Sequence, residues 1–420
     1  MMRRAFTTAL TVFAACGFAA CGDEARVTAP SGAAAFARFV TIGTGFTMGE
    51  QSAGVVYESQ VTAWPAQLAA RVDAPFRVPA LRAPGCTPPL VAPLSLYRNL
   101  AGSIVAGASG CSGRLGSDSL PASNVAMSGA TAWDAFHTSP RSFVTQAASL
   151  DQVRYPMILP ALQTQLQATL GQNPTLVAVE LGAGEVLRAA TSGLVTVATS
   201  YTQKTAWTLV PSSVFAPVFD SIADSVKASG ARAVFVGVPP LLSLPAWRVG
   251  DVLWQHRAAL ATQGVDVHAN CQGSENLLHT VRLLPPLVAA ARSAGTRQSL
   301  SCADRADEAD GVLTPSDAAL ITQTIASINA AIKAAADKRQ LAYVEIPMLA
   351  TDVAPVSLGS WVQTLLSSDQ PFGRYLSLDG VQPSVQGHAL VADRVAAALN
   401  TTYGWSIPIP TRPALARVTR

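Results

Sequence analysis

Thr44, Thr47, Asp379 and His388 are of types that could carry nucleophilic chemistry, as other Ser, Thr, Asp and His residues of the chain are. Attack on an acyl carbon needs a hydroxyl, a base of near-neutral pKa to take its proton, and donors aimed at the oxyanion. Either threonine could offer the hydroxyl, with His388 as base and Asp379 orienting it. Thr44 should point away from Gly45, since successive side chains diverge, and Thr47 lies further along the turn. His388 also has a plainer role, as a buried or capping histidine at the start of a helix. Metal chemistry fits less well. None of Cys86, Cys111, Cys271 and Cys302 sits in a close Cys-x-x-Cys pair, and His256, His268 and His279 lack ligand spacing. Asp304, Asp307, Glu308 and Asp310 lack the spacing of a calcium loop and read as a solvated acidic turn. No metal and no cofactor is expected.

The elements that must position such residues alternate. Phe39-Val40-Thr41-Ile42-Gly43-Thr44-Gly45-Phe46-Thr47-Met48-Gly49 is an apolar run broken by glycines, so it reads as a strand entering a turn. Trp64 to Val72 reads as a helix with Pro65 just inside its start. Thr175 to Leu181 and Ala233 to Val238 are continuous apolar runs, as strands buried on both faces are. A helix is expected from Leu162 to Leu170, another from Ser212 to Ser229, and a third from the cap Thr314-Pro315-Ser316-Asp317 with Ile321, Ile325, Ile328 and Ile332 on one face. Leu341 to Ile346 is the last strand, and a helix runs from about Ser384 to Leu399. This βαβ order predicts an α/β fold with a mostly parallel sheet covered by helices. Ser123 to Ala130 reads as a strand ending in a small-residue turn.

Two stretches interrupt the pattern, Pro75 to Leu120 and Leu241 to Gly311, and each carries two cysteines. Three pairings are open; Cys86 with Cys111 and Cys271 with Cys302 is favoured because each bond then closes one insertion.

At 49% hydrophobic and 13% charged, the 420 residues can bury a core, so disorder is not the expected state. The net charge of +3 is small, and the basic residues form no stripe with aromatics, so nucleic acid is not an expected partner. Residues 1–20 read as a secretory signal: Arg3 and Arg4, then an apolar stretch. Phe18-Ala19-Ala20-Cys21 resembles a bacterial lipobox, which implies lipidation of Cys21 and a membrane anchor on the periplasmic or cell surface. Residues 21–35 then read as a flexible tether, 36–405 as the folded domain and 406–420 as a peripheral tail. No later segment is apolar for long enough to span a bilayer.

Four blocks, in order, resemble the SGNH, or GDSL-type, hydrolases, a family of esterases and lipases with a three-layer α/β/α, flavodoxin-like fold. They are Gly43-Thr44-Gly45-Phe46-Thr47, Asn124-Val125-Ala126-Met127-Ser128-Gly129-Ala130, Gly182-Ala183-Gly184-Glu185, and Asp379-Gly380-Val381-Gln382-Pro383. The resemblance places the nucleophile at Gly45, an oxyanion-holding N–H at Gly129, an oxyanion-binding asparagine at Gly184 and the base at Gln382. Thr44 and Glu185 fall beside them, in the groove. Gly45 has no side chain, and Gln382 cannot carry a proton at ordinary pH. Asp379 is kept.

The resemblance therefore implies a retained scaffold whose catalytic positions are lost: a degenerate enzyme that holds an acyl, acetylated-sugar or glycan ligand or a protein partner. The alternative is an active esterase with a relocated nucleophile. Gly45 and Gly184 should widen the groove. Gly45→Ser, Gly184→Asn and Gln382→His together should restore activity if the groove geometry is intact.

Overall fold

A computed structural model describes residues 32–102, 111–144, 149–203, 207–305, 307–346 and 360–411. Cys21 and the signal lie outside the described residues. Four parallel strands form the central sheet, β1 (Phe39–Gly43), β2 (Leu176–Glu180), β3 (Arg232–Val236) and β4 (Ala342–Val344), lying side by side in that order. Every residue of β1 and β2 is buried, Thr41 and Glu180 included, as expected of largely apolar strands covered on both faces. Outside β1 the irregular segment around Asn124 extends the sheet: Thr41 N–H donates to the Ser123 carbonyl at 2.9 Å and Val125 N–H to that of Thr41 at 3.0 Å.

The helices that matter for the site are α1 (Gly45–Met48), α2 (Trp64–Ala70), α3 (Ala132–His137), α4 (Ser212–Ala228), α5 (Thr280–Ala294), α6 (Pro315–Arg339) and α7 (Val385–Tyr403). α2 packs on α7, α4 packs on α6, and α6 and α7 both lie against the sheet, which gives the three-layer α/β/α arrangement. α6 begins as its sequence dictates. Thr314 and Asp317 form a reciprocal capping box, Pro315 follows the cap, and Ile321, Ile325, Ile328 and Ile332 are buried. At the other end Arg339, 5% exposed, binds Asp224 at 2.8 Å and the Asp220 carbonyl at 3.1 Å, joining α6 to α4. Ser384 caps α7, and Arg71 at the end of α2 pairs with Asp393 of α7 at 2.5 Å.

Both disulfides join the favoured partners, Cys86 to Cys111 and Cys271 to Cys302. The first insertion carries a short hairpin, Leu90–Val91 with Arg98–Asn99, and a 3-10 turn at Leu94–Leu96. The second differs from its expected loop-rich character. It contains α5, which runs through Pro285 and Pro286, and two small sheets. The adjacent prolines hide that helix in the sequence; as its sixth and seventh residues they leave the Val281 and Arg282 carbonyls without helical donors, and burial of Val281, Leu284 and Val288 stabilises the helix against that cost.

Two expected boundaries move. Ala33–Arg38 form a 3-10 helix rather than the end of a tether, with Phe36 wholly buried. Ile407 of the tail is 2% exposed and held by Asn400 through two backbone contacts, at 2.8 and 3.0 Å. Each buries an apolar side chain that the composition of its surroundings masks. Thr314→Ala should lower stability by about 1 kcal/mol, read as a fall in the urea midpoint at unchanged slope.

Candidate functional site

The site is built on the turn where β1 ends. Thr44 caps α1, and its N–H and hydroxyl both donate to the Glu180 carboxylate, at 3.0 and 2.8 Å. Glu180 ends β2 directly opposite Gly43, so the register of the sheet carries the carboxylate to the turn. A β-carbon on Gly43 would lie 2.7 Å from that of Thr47, which leaves glycine as the residue that fits. Asn124 closes the other side: it accepts the Thr41 hydroxyl at 3.1 Å and donates to the Thr47 carbonyl at 2.8 Å. Burial pushes the Glu180 pKa up to about 7, against the pull of its donors on Thr44 and Thr47. Sequence reasoning did not single out Glu180; a lone carboxylate ending an apolar strand was its signal.

The space at position 45 is filled. The β-carbon of any larger residue there would stand 2.0 Å from Glu50 Oε2, so the Glu50 carboxyl occupies the place the resemblance gives to the nucleophile. Desolvation raises the Glu50 pKa, Ser128 opposes that shift by hydrogen bonding, and the nearby Asp379 charge adds to it. The space at position 184 is filled too, by backbone: a β-carbon there would lie 2.0 Å from the Ala130 carbonyl oxygen. The two glycines therefore do not widen the groove. Beside them remains a crevice of ≈ 20 Å³, about the room for one water molecule, bordered by Thr44, Gly45, Glu50, Gly129, Gly184 and Gln382. Gly129 has φ +73° and open space where a side chain would stand, so its backbone is free to approach a ligand.

Glu50, Leu187, Val381 and Gln382 also border a second, larger pocket of ≈ 300 Å³, shared with Leu90, Tyr97, His279, Val281, Arg282 and Asp379. Asp379 does not meet a base in this arrangement. Its oxygens accept the N–H groups of Ala53 (2.7 Å), Val381 (2.8 Å) and Gln382 (2.7 Å) and the Ser377 hydroxyl (3.1 Å). Ser377 Oγ in turn accepts the Ser52 N–H at 2.8 Å. Ser52 and Ala53 have φ of +55° and +59°, a costly conformation for residues with side chains, and these bonds hold it. The clamp fixes the turn that follows Glu50, whose own N–H donates to the Gly45 carbonyl at 2.8 Å.

The remaining expected residues are placed as follows. Glu185 is wholly buried, accepting the Ala132 N–H of α3 at 2.6 Å and the Tyr201 hydroxyl at 2.7 Å, and burial pushes its pKa up to about 7. Thr47 is wholly buried under Trp64, whose Nε1 donates to its hydroxyl at 3.2 Å. His388 lies in the core beside Phe46, and neither ring nitrogen has a hydrogen-bond partner. Thr47, His388 and Asp379 share no hydrogen bond among the described residues, so they do not assemble the relay. The acidic turn folds on itself: Arg305 pairs with Glu308 at 2.7 Å, and Asp310 accepts the Arg305 N–H at 2.9 Å and the Val312 N–H at 3.0 Å. Among the described residues no group of three or more His, Cys, Asp or Glu could hold a metal.

No family model and no curated protein matches the chain. Among solved structures it is similar to TesA, at 13% identity over 86% of this chain and 98% of that one, with a TM-score of 0.34. It is similar to a mutant of Axe2, an acetylxylan esterase from Geobacillus stearothermophilus, at 11% identity over 89% and 96%, TM-score 0.35. The extracellular lipase of Streptomyces rimosus aligns at 13% identity over 86% and 98%, TM-score 0.34.

The buried groups set opposite pH limits. Burial holds His388 down at about 3, so the folded state resists the proton that the unfolded chain takes up near 6.5. Stability from this residue is complete above 6.5 and is lost as pH falls toward 3. Glu180 and Glu185 act the other way: their contribution is complete below 4.5 and is lost as pH rises through 7. His388→Leu should therefore remove a loss on the order of 4 kcal/mol between pH 6.5 and 3, measured by urea unfolding across that range.

Proposed function

We propose that this chain is a catalytically degenerate SGNH/GDSL-type domain that holds an acyl, acetylated-sugar or glycan ligand at the ends of β1 and β2, on a protein lipidated at Cys21 and exported to the envelope. The observation that carries this reading is the Glu50 carboxyl in the space of the missing nucleophile side chain. A serine hydrolase needs a hydroxyl there with a base beside it. Here position 45 offers no hydroxyl, position 382 offers an amide, and Asp379 is saturated by donors from Ala53, Val381, Gln382 and Ser377. Thr44 cannot substitute, because its hydroxyl is committed to Glu180 and to the cap of α1. Losing one member of such a machine costs up to about 10⁶ in rate, after which the loss of its partners adds little.

What the site retains is suited to holding rather than cutting. The ≈ 300 Å³ pocket has the size of a small-ligand site, with apolar walls at Leu90, Leu187, Val281 and Val381 and a few polar groups among them. Among the described residues no helix is long and apolar enough to cross a membrane, so attachment rests on the acyl chains at Cys21.

The purified chain should show no fluorophosphonate labelling and no hydrolysis of p-nitrophenyl acetate above buffer; a labelled threonine or turnover would reinstate an active esterase. The triple variant Gly45→Ser, Gly184→Asn, Gln382→His should also stay inactive, against the expectation from sequence, because the asparagine would collide with the Ala130 carbonyl. Cys21→Ser should shift the protein from the membrane to the soluble fraction, checked by fractionation and immunoblot.

A further inference from the structure

Among the groups that line the ≈ 300 Å³ pocket, the Glu50 carboxylate is the charge without a counterion. Among the described residues it enters no ion pair; Arg154 attracts it least of the groups around it and is itself paired with Asp151. Unlike the enclosed polar atoms of His279 and Gln382, its oxygens are not sealed from solvent: Glu50 is half-buried and borders both the water-sized crevice and the larger pocket. Asp379 lines the same pocket, but its four donors are already in place. Desolvation and the Asp379 charge both push the Glu50 pKa up, the response of a carboxylate with no cation beside it. The positive group in the lining is turned outward, since Arg282 is exposed and donates to the Ala309 carbonyl at 3.0 Å. His279 in the wall is held neutral, its pKa pushed by burial down to about 3. Tyr97, half-buried, adds an aromatic ring.

We propose that this pocket binds a small organic ammonium ion, its charge held by the Glu50 carboxylate and the Tyr97 ring and its carbon skeleton by Leu187, Val281 and Val381. The assignment rests on the reading of the pocket as a holding site and adds that the occupant carries a positive charge. A neutral occupant would displace the water around Glu50 and leave the carboxylate desolvated with no partner. An anion would face Glu50 and Asp379 together. A cation offsets the repulsion between those two carboxyls, and a pocket of this volume leaves room for a ring or a short chain beside the charge.

The test is calorimetric titration of the purified full chain with phenethylamine, phenethyl alcohol and phenylacetate, three probes of one skeleton that differ in charge, beside fluorophosphonate labelling. Glu50→Gln removes the charge and keeps the shape, and Tyr97→Leu removes the ring; thermal melts confirm that each is folded. The expected result is binding of the amine alone, weakened roughly ten-fold by Glu50→Gln and about three-fold by Tyr97→Leu. Amine affinity of the unaltered chain should fall as pH drops toward 4.5 and Glu50 takes up a proton, and Glu50→Gln should lose most of that dependence. Equal binding of the three probes, amine binding that both variants leave unchanged, or no amine binding at millimolar concentration would each overturn the assignment. Fluorophosphonate labelling together with Glu50-dependent amine binding would overturn only the non-hydrolysing reading and leave this site standing.

Discussion

The contact between Glu180 and the Thr44 turn is the constraint on which the site depends. A strand end has no intrinsic reason to hold a tight turn beside it. Here the parallel register of β1 and β2 brings a buried carboxylate opposite Gly43, and two donors from Thr44 satisfy it. Without those donors the carboxylate would be a costly buried charge, and without the carboxylate the Thr44 N–H would be an unpaired buried donor. Each therefore stabilises the other, and α1 and everything it carries follows from their fit. The Asn124 bridge to Thr41 and Thr47 then ties this corner to the edge of the sheet.

Around that fixed corner a second set of bonds holds the chain in place. Asp379 and Ser377 hold a left-handed pair, Ser52 and Ala53. Glu50 itself is held beside position 45 by its N–H, which donates to the Gly45 carbonyl at 2.8 Å. A larger pocket lies beside Glu50 and Gln382, and α5 and the hairpin of the first insertion contribute to its wall. The two insertions thus act as walls of the site as well as interruptions of the α/β pattern.

The fold was legible where periodicity and end signals agree. The continuous apolar runs of β1 to β3, the Thr314-Pro315 start of α6 and the cysteine pairing follow from local rules of burial, capping and loop closure. α5 was not legible, because two adjacent prolines argue against a helix unless its start is known. Within the site, the residues at positions 45, 184 and 382 could be read from the sequence, but what packs against them could not. Glu50 reaches Gly45 through a tight local turn, its N–H donating to the Gly45 carbonyl at 2.8 Å, and Ala130 approaches Gly184 through backbone geometry that carries no side-chain signature. His279 lies in an insertion, and its place in the pocket wall depends on how that insertion packs.

The close approach at Gly184 has a consequence for the substitutions this corner admits. A side chain can be added by one substitution where its space stands empty. Here the Ala130 carbonyl stands 2.0 Å from where the first carbon of any side chain would sit. Main chain cannot swing aside as the end of a glutamate can, so the position is locked to glycine. Variation can pass through the pocket wall, while any side chain at position 184 would require the segment leading into α3 to refold first.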